Sequence, residues 1–120
     1  MEFNYFIFPA PPSSYTAEEY SSDIVYIPRN TSMVYRHADT SLSIPCLYLP
    51  YSGGSSKLVI YFHGNAEDLG LAFELLDHLK SSLRVHVLAI EYPGYGIYHG
   101  KPSAEAILED ALTVWDYLII

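Results

Sequence analysis

The stretch YFHGNAEDLG (61–70) places His63, Gly64 and Asn65 where an apolar run gives way to an acidic, amphipathic one. A strand ending at Phe62 aims the following loop at the carboxyl edge of a sheet, where α/β proteins hold ligands. Gly64 allows backbone to come close to whatever sits above it. The N–H groups of Asn65 and Ala66 come just before, or open, a helix, and so point outward unpaired. Two such donors suit a developing oxyanion. The same residues also fit a plain strand-to-helix turn with His63 hydrogen-bonded into the scaffold, and the stretch alone does not choose between the two.

A second stretch, EYPGYGIYHGKPS (91–103), follows another apolar run. Tyr92, Pro93, Gly94, Tyr95 and Gly96 form a second tight loop on the same sheet edge, which favours the ligand-facing reading. Other chemistries fit less well. GIYHGKPS (96–103) is one residue short of the P-loop spacing, and Pro102 removes an N–H that a phosphate cradle needs. His37, His63, His78, His86 and His99 show no paired ligand spacing, so neither metal nor cofactor is expected. His78 falls off the apolar face of its helix and reads as solvated. His86, alternating with Val85 and Val87, reads as a satisfied strand residue. The twelve tyrosines suit core-capping positions with a polar handle.

Composition narrows the choice further. A chain of 120 residues makes one domain at most, since domains usually run to roughly 100–200 residues. Half of its residues are hydrophobic, enough to bury a core, and its formal net charge is −8. The six basic residues, Arg29, Arg36, Lys57, Lys80, Arg84 and Lys101, are spread thinly, which disfavours nucleic acid and anionic membrane surfaces. Cys46 is the only cysteine, excluding an internal disulfide and a thiolate zinc cage and suiting a reducing, cytoplasmic compartment. The N-terminal apolar run, Phe3 to Phe8, is too short to span a bilayer and follows Glu2 rather than a basic segment. It reads as an arm whose aromatics cover part of the core.

These loops need elements to hold them. Residues 1–22 read as an extended arm rich in proline and aromatics, and residues 23–120 as the domain. DIVYIP (23–28), SMVYRHA (32–38) and LSIPCLYLP (42–50) read as strands, with a turn at Arg29-Asn30-Thr31. The last of them is expected near a sheet edge, because Pro45 cannot donate to a ladder. LVIYF (58–62) is apolar throughout, as in a parallel strand covered on both faces. Leu69, Ala72, Phe73, Leu76 and Leu79 mark one helical face, with Glu67 and Asp68 expected in the first turn. VHVLAI (85–90) is a second buried strand. Residues 103–120 form a second helix, N-capped by Ser103, with Ile107, Ala111, Val114, Trp115 and Leu118 facing inward. The alternation of strand and helix predicts an α/β class with parallel strands.

HGNAEDLG, then YPGYG and GKPS about thirty residues on, resembles the α/β-hydrolase fold. Within it the chain is similar to the branch of α/β-hydrolase domain-containing protein 17. That branch carries HGNAxDLG, a YSGYG loop, a following GKPSE or GRPSE, and an arm like FIFPAPPSSY (6–15). Three differences stand out. Pro93 replaces the usual serine, Tyr98-His99 replaces a small-residue pair, and the arm lacks the cysteine cluster through which animal members are palmitoylated.

The resemblance implies the N-terminal part of an α/β-hydrolase fold: short antiparallel strands, then parallel strands alternating with helices, of three-layer type and incomplete. In it the strand at 58–62 is flanked by the strand at 85–90 and by one that carries the nucleophile. It implies a serine hydrolase acting on esters or thioesters, with depalmitoylation of acylated proteins as its characteristic activity. A related carboxylesterase or serine peptidase, or a catalytically inactive interaction module, are the alternatives. His63, Gly64, Asn65 and Ala66 then supply half of an oxyanion hole, and Tyr92, Pro93, Gly94, Tyr95 and Gly96 wall the pocket. The nucleophile of this fold sits in G-x-S-x-G, followed by an acid and a histidine. No serine here has glycine on both sides at that spacing, so no catalytic triad residue is expected within the chain. Residues 23–120 are expected to be a partial domain lacking the nucleophile-bearing strand. Further expectations are an acylated protein or small ester as substrate of the whole enzyme, peripheral membrane contact left open, and self-association of the 120-residue chain.

Overall fold

A computed structural model describes residues 8–29 and 43–119. The expected strand at 32–38, the turn before it and most of the arm's aromatic run lie outside the described residues. Among the described residues, four strands and two helices follow in chain order: β1 (Ile24–Pro28), β2 (Ser43–Leu49), β3 (Leu58–Phe62), α1 (Leu69–Leu83), β4 (His86–Ile90) and α2 (Ala104–Leu118). The strands form one mixed sheet in the order β1-β2-β4-β3. β2 runs antiparallel to β1 and β4, whereas β3 and β4 are parallel with Leu58 beside His86 and Phe62 beside Ile90. The α/β class follows directly.

Strand alternation divides the core into two clusters. Leu47, Leu49, Val87 and Ala89 pack with Leu69, Ala72 and Leu76 of α1. Ile44, Cys46, Leu88 and Ile90, one residue out of phase, pack with Val114 of α2 and Tyr98. The face expected for α1 is the face it buries, with Phe73 half-buried beside it.

Three expectations need correction. β2 is not near an edge; it lies between β1 and β4. Its proline is tolerated because pairing with β4 begins only at Cys46, and the Pro45 carbonyl accepts the Glu91 N–H at 3.1 Å. β3 is not covered on both faces. It forms the margin of the sheet among the described residues, with Leu58 40%, Val59 36% and Phe62 48% exposed. α2 is rotated from the expected face. It buries Ala106, Glu109, Asp110, Thr113 and Val114, while Trp115 is 53% and Leu118 37% exposed. The rotation follows from Asp110, which accepts hydrogen bonds from Arg29 Nε at 3.2 Å and Tyr98 Oη at 2.5 Å. A buried carboxylate so partnered fixes the helix face more firmly than an apolar stripe does.

Both helix starts obey capping chemistry. Ser103 Oγ accepts the Ala106 N–H at 3.0 Å, as expected. At α1, Asp68 is the N-cap rather than a first-turn residue, accepting the Leu71 N–H at 3.0 Å. Glu67 precedes the helix and folds back to Gly64.

Candidate active site at the carboxyl ends of β3 and β4

The parallel register brings two loops to one place. Phe62 pairs with Ile90, so the residues that follow, His63 and Glu91, emerge side by side. Their side chains are fully buried and meet with Nε2 2.7 Å from Glu91 Oε1. The His63 Nδ1 lies 3.0 Å from the Gly64 carbonyl. Both ring nitrogens thus face acceptors, and only the imidazolium donates to both. Burial pushes the His63 pKa down, but the hydrogen bonds to Glu91 and the Gly64 carbonyl outweigh it and leave the pKa above its ordinary value. With both nitrogens engaged, His63 is an anchor and not a general base.

Glu91 holds more than His63. Its Oε1 also accepts the Tyr92 N–H at 3.1 Å, and its Oε2 accepts the Leu69 N–H at 3.1 Å and the Tyr15 hydroxyl at 2.6 Å. One buried carboxylate therefore ties together the end of β4, the end of β3, the first residue of α1 and the arm. Charge-assisted bonds of this kind are the stronger class. Sequence reasoning missed Glu91 and Tyr15. The available signal was a lone acid closing a buried strand, which must find donors.

The expected pocket loop packs onto the expected oxyanion loop. Tyr92 stacks on the His63 ring at 3.9 Å between centroids and donates to the His63 carbonyl at 2.6 Å. Burial and the neighbouring Glu91 push the Tyr92 pKa up to about 12, so its phenol stays a donor. Tyr95 is fully buried, 5.2 Å from the His63 ring, and its hydroxyl has no partner among the described residues. Pro93 is buried. Gly94 and Gly96 have positive φ, +86° and +53°, which glycine alone adopts freely. A Cβ on Gly94 would stand 2.6 Å from the Pro102 ring, and one on Gly96 would strike the Glu91 carboxylate.

Gly64, Asn65 and Ala66 are different: all three are exposed. The Gly64 N–H donates to Glu67 Oε2 at 2.7 Å. Asn65 and Ala66 form the turn, Ala66 in the left-handed region at φ +59°. No hydrogen bond engages either N–H among the described residues. They do not open α1, which starts at Leu69; they precede it. His78 is exposed and His86 accepts the Tyr51 N–H at 2.9 Å, as their sequence positions imply.

No family model matches the chain, and no solved structure matches it. Curated proteins do. Alpha/beta hydrolase domain-containing protein 17C of Xenopus tropicalis is 33% identical over 73 residues, which is 61% of this chain and 24% of that protein. Its Xenopus laevis counterpart is 32% identical over the same shares, and that of Mus musculus 30% identical over 61% of this chain and 23% of its own length. The chain thus spans about a quarter of the length of the curated relatives it matches. Motif order, the mixed sheet and these relatives together make the chain a relative of α/β-hydrolase domain-containing protein 17.

Proposed function

We propose that residues 63–66 form one half of the oxyanion hole of a serine hydrolase acting on esters or thioesters, an acyl-protein thioesterase of three-layer α/β-hydrolase type. One observation carries this reading. The exposed Asn65 and Ala66 offer uncommitted N–H groups at the carboxyl end of β3, on a loop whose root is clamped by the buried His63–Glu91 pair. In such an enzyme a serine attacks the acyl carbonyl, and negative charge grows on its oxygen as the tetrahedral intermediate forms. Donors fixed beforehand need no reorganisation, and losing one costs on the order of 100- to 1,000-fold in kcat. The His63 ring, bonded to the Glu91 carboxylate, fixes the root of the loop beneath those donors. The substrate is an acylated protein or a small ester, met in the cytoplasm or at its membrane margin. Among the described residues no helix is long and apolar enough to cross a membrane.

A second reading, a non-catalytic module on the same scaffold, draws on one fact: these 120 residues contain no G-x-S-x-G. Two experiments separate the readings. The 120-residue polypeptide is expected to resist labelling by a fluorophosphonate probe, and labelling abolished by one Ser→Ala change would overturn that. A chimera in which the 73 matched residues replace their counterpart in the Xenopus tropicalis protein is expected to hydrolyse p-nitrophenyl esters. A folded chimera without turnover would favour the module.

A further inference from the structure

We infer that Ser14 and Tyr15 of the arm are positioning residues for the His63–Ala66 loop, acting through Asp68 and Glu91. The loop and the turn after it are pinned at two points. At its root, His63 bonds to Glu91; at its exit, Asp68 caps α1. The arm reaches both acids. Ser14 donates its N–H to Asp68 Oδ2 at 2.7 Å and its hydroxyl to Asp68 Oδ1. Tyr15 donates to Glu91 Oε2 at 2.6 Å, on the carboxylate that holds His63 by its other oxygen.

The seat for Tyr15 is built into the domain. A Cβ on Gly70, in the first turn of α1, would lie 2.8 Å from Tyr15 Cδ1. A Cβ on Gly96, in the tyrosine loop, would lie 2.7 Å from both Tyr15 Cε1 and its hydroxyl. Two bare backbone positions on separate elements thus open a slot that one arm side chain fills, leaving Tyr15 only 4% exposed. Tyr20 closes the slot edge-on at 5.8 Å between ring centroids. Because Glu91 spends Oε2 on Tyr15 and Leu69 and Oε1 on His63 and Tyr92, withdrawing the arm removes one of the four anchors that fix the carboxylate, and with it the position of the loop's root. Seating the arm and ordering the loop are one event. The consequence for catalysis rests on the oxyanion reading; the coupling itself does not.

Hydrogen-exchange mass spectrometry on the chain tests the coupling without any turnover. The groups facing His63 are Glu91 at Nε2, Tyr92 and Tyr95 across its ring, and Glu67 from the turn. Tyr15→Phe keeps the ring but removes the donor. Exchange in peptides covering 63–69 is expected to rise about tenfold, the scale of a hydrogen bond to a charged group, while that of β2 stays unchanged. Slow exchange at the His63 ring carbon reports its titration. Its midpoint should rise in Tyr15→Phe, where Glu91 keeps more charge for the imidazolium, and fall in Glu91→Gln, where that charge is gone. Ser14→Ala should loosen 66–69 alone. Unchanged exchange and midpoint in Tyr15→Phe, or a uniform rise across the sheet, would overturn the inference. A loosened loop with undiminished hydrolysis in a longer chimera, one that carries residues 14–96 of this chain with the same change, would instead count against the oxyanion assignment.

Discussion

His63 anchors its loop at the end of β3. Its ring is locked between Glu91 and the Gly64 carbonyl, and its pKa is raised above the ordinary 6.5 despite burial. The sign of the linkage follows. A group whose folded pKa is raised adds stability in full below its unfolded value, and loses it as pH rises through the folded value. Denaturant midpoints should therefore fall as pH rises above the ordinary 6.5 and level off once the raised folded value is passed, and the fall should disappear in His63→Gln. Matching profiles for both proteins would refute the charged pair. Next to it, Gly64 tests the oxyanion reading. A Cβ there meets only Glu67 Oε2, at an ordinary 3.5 Å, so the fold can accept a side chain that would obstruct a substrate held by the oxyanion donors. In the active chimera, Gly64→Val is expected to lower kcat/KM at least about tenfold while Tm shifts by only a few degrees. Parallel losses would mark a plain turn. At this scale the sequence was half legible. The residue types at 63–66 and 92–96 announced two loops on one edge, but the acid that joins them was marked only as a lone carboxyl closing a buried strand, because three of its four donors come from elsewhere in the chain.

The elements were legible in kind and less so in orientation. β3, α1 and the Ser103 cap stand where their patterns put them, since each depends on neighbours within a few residues. The phase of α2 depends on Arg29, eighty-one positions before Asp110, and no local periodicity contains that contact. Leucines and Trp115 give the helix a second apolar stripe, and the choice between stripes was made by a buried ion pair with both side chains 2% exposed or less. Removing one member should expose the difference. Asp110→Ala leaves Arg29 buried without this carboxylate and is expected to cost about 3–5 kcal/mol. Trp115→Ala, at a half-exposed position, is expected to change stability by no more than about 1 kcal/mol in this chain. Urea denaturation of the two variants decides the matter. A larger loss for Trp115→Ala would restore the face expected from the apolar pattern.

At the scale of the whole molecule, the margin formed by β3 is expected to govern solution behaviour. The strand pairs with β4 along one side, and its other side is the sheet margin among the described residues. Natural edges are blunted by lysine, proline or a bulge, and LVIYF has none. Leu58, Ile60 and Phe62 alternate with Val59 and Tyr61, so both faces of the margin are apolar. A second copy suits this edge. Antiparallel pairing centred on Ile60 sets Leu58 against Phe62 and Val59 against Tyr61, keeping each on a matching face. The same symmetry brings Lys57, before the strand, towards the Glu67 end of its partner, twice. Pairing would extend the four-stranded sheet to eight strands and satisfy the open ladder. The 120-residue chain is therefore expected to self-associate, and Val59→Lys, which places a charge at a position already 36% exposed, to suppress it. Sedimentation velocity across a concentration series gives the answer. A wild-type chain that stays a monodisperse 13.5 kDa monomer and melts cooperatively would show that β3 needs no partner, and that this stretch stands as a domain by itself.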